Sequence, residues 1–340
     1  MKLLEPVLAV LAGAYTAQAG APLGTTVYDD AMTPMAALDE GNGNDAPASA
    51  SVGTGGLVQV PDFGPNPSNT SMYIYVPAQL AAQPAIIVAI HYCTGTAQAY
   101  YAHTPYAQLA DEKGFIVIYP SSPYEGTCWD VSSQAALTHN GGGDSNSIAN
   151  MVTHTLAKYH GDPARVFVTG TSSGAMMTNV MAAAYPEMFA ACIVYSGVPA
   201  GCFYDQAGGA NAWNSSCADG QIDSTPAVWA GIVDAMRPTF SAGSSAAASA
   251  AAAAARPRMQ IYHGSADAIL HPPNYRETIK QWCGVFGFDA NAPDETQDNM
   301  PQTSYTTSTW GGGKLIGVYA EGVGHTVPVR GDDDMVFFGL

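Results

Sequence analysis

Arg165-Val166-Phe167-Val168-Thr169-Gly170-Thr171-Ser172-Ser173-Gly174-Ala175-Met176-Met177-Thr178-Asn179-Val180-Met181 reads as a strand, a tight turn and a helix in direct succession. A G-x-S-x-G pattern alone is weak evidence in a chain with 36 glycines. Its position between a β-branched run and a helical run gives it meaning, because a serine on so sharp a turn is pushed into the open. The helix that follows, Ser173 to Tyr185, stops at Pro186 and points its N-terminus at the place where negative charge would develop. Ser172 is therefore the candidate nucleophile. Outward from this turn, short β-branched and aromatic runs recur at Met72 to Val76, Ala85 to Ile90, Phe115 to Tyr119, Ala191 to Tyr195, Met259 to Tyr262 and Leu315 to Tyr319. Helical patterns alternate with them. Asp144-Ser145 is expected to cap one helix, carrying Ile148, Met151, Val152, Thr155, Leu156 and Tyr159 and ending at Gly161; another holds Tyr275, Ile279 and Trp282 after Pro272-Pro273. This rhythm predicts an α/β domain on a mostly parallel sheet flanked by helices.

A serine hydroxyl needs a base to take its proton and a carboxylate to orient that base. The expected chain order is serine, acid, histidine. Downstream of Ser172 stand His263, His271 and His325, and His325 occupies the glycine-rich loop Glu321-Gly322-Val323-Gly324-His325 after the last apolar strand. His263-Gly264-Ser265-Ala266-Asp267 closes another strand and offers Asp267 as the acid; Asp205, Asp219, Asp223 and Asp234 follow no convincing strand. The expected triad is Ser172, Asp267 and His325. For the oxyanion hole, one backbone N–H should come from Ser173 and the other from the loop His91-Tyr92-Cys93-Thr94-Gly95-Thr96, with Cys93 first and Thr94 second.

The six cysteines bear on that loop. A Cys93–Cys128 disulfide would brace it against Thr127-Cys128-Trp129-Asp130, where Trp129 either lines the substrate cleft or joins the core. Cys202 and Cys217 bracket a short loop and form the natural second pair, while Cys192 and Cys283 are either buried thiols or a third bridge. No C-x-x-C pair or zinc spacing occurs, so neither a metal nor an organic cofactor is expected.

The chain has 340 residues with 47% hydrophobic residues but only 11% charged ones, and its formal net charge is −17. Such a surface repels phosphate, which argues against nucleic-acid and anionic-membrane partners. Eleven of the seventeen excess negative charges fall in residues 20–55 and 289–340, which leaves residues 56–288 with a net charge of only −6 and suited to uncharged, hydroxyl-rich ligands. Residues 1–19 have the basic start, apolar stretch and Ala17-Gln18-Ala19 site of a secretory signal, so an extracellular protein is expected. Residues 20–55 read as an acidic propeptide or loose arm, 56–340 as one catalytic domain, and 241–255 as an Ala/Ser-rich excursion outside the core. Asn69 and Asn214 begin glycosylation sequons.

Several stretches together resemble the fungal acetylxylan esterases of the first carbohydrate-esterase family. They are His91-Tyr92-Cys93-Thr94-Gly95-Thr96-Ala97, Thr127-Cys128-Trp129-Asp130-Val131-Ser132-Ser133, Leu137-Thr138-His139-Asn140-Gly141-Gly142-Gly143-Asp144-Ser145, the Ser172 turn, and Tyr195-Ser196-Gly197-Val198-Pro199-Ala200-Gly201-Cys202. The likeness runs from about Val58 to the C-terminus. It implies a secreted α/β-hydrolase, related to polyhydroxybutyrate depolymerases and to one group of feruloyl esterases, that deacetylates xylan as a monomer with the triad named above. Trp129 after the cysteine favours acetyl over feruloyl groups within that resemblance. The alternatives are a feruloyl esterase and a catalytically silent polysaccharide-binding protein on the same fold.

Overall fold

A computed structural model describes residues 55–237 and 246–340. The expected signal, residues 1–19, nearly all of the acidic arm and residues 241–245 of the excursion lie outside the described residues. The chain folds as β1 (Leu57–Val60), β2 (Ser71–Tyr75), β3 (Ile86–Ile90), α1 (Ala97–His103), α2 (Tyr106–Lys113), β4 (Ile116–Ser121), α3 (Asp144–Tyr159) and β5 (Val166–Thr171). It continues with α4 (Ser173–Ala184), β6 (Ala191–Tyr195), α5 (Ser215–Ala218), α6 (Pro226–Met236), α7 (Ala246–Ala255), β7 (Arg258–Gly264) and α8 (Pro273–Phe286). The last elements are β8 (Glu295–Asp298), β9 (Tyr305–Trp310), β10 (Leu315–Ala320) and α9 (Gly331–Phe338).

These strands form one sheet in the order β1-β2-β4-β3-β5-β6-β7-β10-β9-β8. The six central strands from β4 to β10 run parallel, and antiparallel pairs flank them at both edges. The central strands are buried on both faces, so β3 reads Ile86-Ile87-Val88-Ala89-Ile90 without a polar interruption. One face carries Ile148, Val152, Val180, Trp229 and Trp282 from α3, α4, α6 and α8. The other carries Tyr100, Tyr106, Leu109, Met335 and Phe338 from α1, α2 and α9.

Two expectations need correction. Asp144 and Ser145 do not cap α3: Gly143 is its N-cap, and both residues turn inward, where Asp144 accepts the Asp130 N–H at 3.0 Å and Ser145 donates to the Ala136 carbonyl at 2.6 Å. Residues 289–340 are no acidic flank, because β10 is a central strand and Asp334 of α9 is fully buried. Within the Ala/Ser-rich excursion, residues 246–255 form a helix whose residues 251–255 are exposed or half-buried, and Arg256 just beyond it is buried against Asp234 of α6 at 3.0 Å.

Asp334 ties α9 to the sheet by accepting hydrogen bonds from the Tyr195 and Tyr106 hydroxyls at 2.5 and 2.7 Å. Burial pushes its carboxyl up to about 7, which the two phenol hydrogen bonds only partly offset. The unfolded chain ionises this group near pH ~4, so its contribution to stability is full below that point and declines as pH rises toward 7. Thermal melts should show the wild type most favoured over Asp334→Asn near pH 4, with the gap narrowing by pH 7. A gap independent of pH would contradict this linkage.

Candidate active site

β5 ends at Thr171 and α4 begins at Ser173, so Ser172 alone makes the turn, with φ 57° and ψ −120°. Few residues other than glycine adopt such a conformation, and it costs on the order of 1–3 kcal/mol. Packing enforces it. A Cβ on Gly170 would stand 2.4 Å from the Gly174 carbonyl oxygen, and one on Gly174 would stand 2.2 Å from the Ile90 oxygen. Both glycines let α4 press its first turn against the end of β3. All twelve residues of α4 are buried; most are small or apolar, and the polar Thr178 and Asn179 are hydrogen-bonded to the Gly174 and Val198 carbonyls.

The structure brings Ser172, His325 and Asp267 together. His325 Nε2 lies 2.8 Å from Ser172 Oγ, and His325 Nδ1 lies 2.8 Å from Asp267 Oδ2. Asp267 is buried on the loop after β7, where its Oδ1 accepts the N–H groups of Ile269 and Leu270, both at 2.9 Å. Burial alone would raise the Asp267 carboxyl, but the hydrogen bond and charge of His325, the proximity of His263 and the Ile269 amide outweigh it and hold it below its ordinary value.

His263, weighed from the sequence only as a rival base, also belongs to this site. It is fully buried, with Nε2 2.8 Å from the Leu270 carbonyl and 3.4 Å from Asp267 Oδ2. Both neighbours are acceptors, so Nε2 carries the proton and Nδ1 is left buried without a partner. Burial lowers its basicity, the nearby Asp267 notwithstanding, so the ring stays neutral. A histidine immediately before the Gly-Ser-Ala-Asp turn was the available signal.

The rival acids are engaged elsewhere. Asp205 accepts the Ala207 and Gly209 amides, Asp223 pairs with Lys280 at 2.6 Å, Asp234 pairs with Arg256, and Asp219 is the C-cap of α5.

Of the two candidate donors on the loop after β3, Thr94 already gives its N–H to the Gly126 carbonyl at 2.7 Å, whereas Cys93 gives its N–H to no backbone carbonyl among the described residues. That leaves Cys93 with Ser173 as the candidate pair. Three links brace the loop: the Cys93–Cys128 disulfide, the Thr94–Gly126 bond, and the Thr127 hydroxyl on the Gly95 carbonyl at 2.7 Å.

The assignment of Trp129 to substrate binding requires correction. Its side chain is only 1% exposed, its indole N–H donates to the His91 carbonyl at 2.8 Å, and its ring packs on His91. Trp129 thus supports the donor loop from beneath. His91 is neutral in this setting: burial lowers its pKa to about 4, Nδ1 donates to the Tyr92 carbonyl and Nε2 accepts the Ser122 N–H.

Cys202 is bonded to Cys217, and Cys192 and Cys283 are buried free thiols. The loop closed by Cys202–Cys217 exposes Trp213, 48% accessible and edge-on to Phe203, a surface aromatic that the sequence reading did not single out. Asn69 is exposed on a left-handed turn. Asn214 instead caps α5 by accepting the Cys217 N–H at 3.1 Å and donates to the Cys202 carbonyl, so its amide is already committed.

The mostly parallel sheet with helices on both faces is an α/β-hydrolase fold. A family model described as esterase PHB depolymerase matches residues 69–212. The chain is 64% identical over 289 residues to a probable acetylxylan esterase A of Aspergillus fumigatus, covering 85% of this chain and 74% of that protein. It is 63% identical to acetylxylan esterase A of Talaromyces purpureogenus, with 85% and 72% covered. The solved structure of the acetyl xylan esterase from Aspergillus awamori superposes with a TM-score of 0.78 at 61% identity, covering 84% of this chain and 99% of that one. The chain belongs to the acetylxylan esterase A family.

Asp267→Asn should lower kcat/KM on a small acetyl ester by about 10⁴-fold while leaving the circular-dichroism spectrum intact, because an amide orients the wrong histidine tautomer. A loss of only a few-fold would remove Asp267 from the catalytic unit.

Proposed function

We propose that this protein is a secreted serine esterase that removes acetyl groups from acetylated xylan through an acetyl-enzyme. The observation that carries the reading is the unbroken chain of 2.8 Å contacts from Ser172 Oγ to His325 and from His325 to Asp267. The names of the similar proteins supply the substrate.

In this mechanism His325 Nε2 takes the Ser172 proton as Oγ attacks the acetyl carbonyl on a xylose 2- or 3-hydroxyl. The carbonyl oxygen becomes an oxyanion and accepts hydrogen bonds from the Ser173 and Cys93 N–H groups. His325 then returns the proton to the sugar oxygen as the ester bond breaks. Water, deprotonated by the same histidine, attacks the acetyl-enzyme, and acetate leaves as Ser172 regains its proton.

Export agrees with two disulfides, which persist in oxidising compartments, and with the signal-like residues 1–19. Acetate release should be measured on acetylated xylan, with methyl ferulate and a short-chain polyester as parallel substrates. The wild type should release acetate and leave the other two largely untouched, and Ser172→Ala should abolish the release without altering the fold. Retained activity in Ser172→Ala, or preference for methyl ferulate, would overturn the proposal.

A further inference from the structure

A groove of about 490 Å³ opens on the α8 face of the sheet, and none of the triad side chains lines it. That volume lies within the ~300–1,000 Å³ range of small-molecule pockets. Its floor follows from strand register. Tyr319 of β10 pairs with Thr306 of β9, and Gly317 pairs with Ser308, so alternate residues of both strands share this face. A Cβ on Gly317 would lie 2.4 Å from the Tyr275 hydroxyl, so the glycine lets that tyrosine settle onto the strand. Pro272 and Pro273, which open α8, form part of the wall.

The lining has a definite chemistry. Tyr275 and Tyr319 stand with ring centroids 5.1 Å apart at 39°, both half-buried. Neither phenol hydroxyl meets a hydrogen-bond partner among the described residues. Arg276 is exposed and makes no ion pair among the described residues, in a chain whose acids outnumber its bases 28 to 11. The Thr306 and Ser308 hydroxyls complete the floor, held by Asp298 at 3.0 Å and Thr296 at 3.1 Å. Two aromatic rings and two prolines offer apolar contact beside unsatisfied hydroxyls and one guanidinium. A pyranose chain presents the same combination, with C–H faces flanked by hydroxyl groups.

We propose that this groove is a second, non-catalytic binding site for the pentose backbone of xylan, holding one stretch of polymer while another meets Ser172. The inference rests on the acetylxylan reading above. Only four residues separate Asp267 from Pro272, so the groove wall and the catalytic acid belong to one short segment of chain.

The test is affinity electrophoresis of the intact protein through gels containing soluble, fully deacetylated xylan, with dextran as the control polymer. The wild type should be retarded by xylan and not by dextran. Arg276→Ala and Tyr319→Ala should each weaken the apparent affinity by roughly five- to tenfold. Arg276 is exposed, so its variant keeps the test valid if Tyr319→Ala fails to fold, and circular dichroism checks both. An unretarded wild type, or variants retarded as strongly as the wild type, would overturn the inference. Failure of the esterase reading would show separately, as absent acetate release from acetylated xylan.

Discussion

The site depends on how closely the first turn of α4 approaches the end of β3. Gly174 meets the Ile90 and His91 carbonyls at distances that admit no side chain, and Gly170 meets Gly174 in the same way. This contact forces Ser172 into its unusual backbone angles and sets the N-terminal amides of α4 beside the loop that begins at His91. One steric constraint thus places the candidate nucleophile and both candidate oxyanion donors together. The disulfide at Cys93 and the buried Trp129 brace the loop that carries the second candidate donor. The strain at Ser172 is offset by a helix that is buried along its whole length.

Three buried aspartates show how local donors decide protonation. Asp267 lies among two backbone N–H groups, His325 and His263, and is held below its ordinary value. Asp334 receives only two phenol hydroxyls and is pushed up to about 7. Asp144, buried with one backbone N–H at 3.0 Å and a Tyr124 hydroxyl at 3.4 Å, is likewise raised to about 7. All three lose hydration, but only the first gains enough hydrogen bonding, from two backbone amides and its histidine neighbours, to be held below its ordinary value, as a group that orients a histidine requires.

Much of this was legible in the sequence. The central strands are runs of β-branched residues because helices cover both faces, and the G-x-S-x-G turn and the glycine-rich loop around His325 carry local signals of their own. What escaped has physical reasons. Glu295–Asp298 is an exposed edge strand and Tyr305–Trp310 beside it is only partly covered, so their polar residues hide the alternation that marks a strand. Pro226–Met236 has Trp229, Ile232, Val233 and Met236 at helical spacing behind a Thr225 cap, a signal that was present but unused. Asp144-Ser145 resembles a cap because short polar residues suit helix starts, and nothing local reveals that both bond inward across the chain. Trp129 could not be assigned from its neighbours, since burial beneath the donor loop is a tertiary fact. His263 was weighed only as a rival base, because its contact with Asp267 Oδ2, the oxygen that also meets His325, arises only when the β7 loop folds back on itself.

Labelling with a 4-nitrophenyl alkylphosphonate, followed by peptide mass spectrometry, tests the central claim most directly. The account predicts one adduct per chain, on Ser172, appearing in step with loss of esterase activity and absent when His325 is replaced by alanine. Loss of activity with Ser172 unmodified, or with the adduct on another residue, would contradict it.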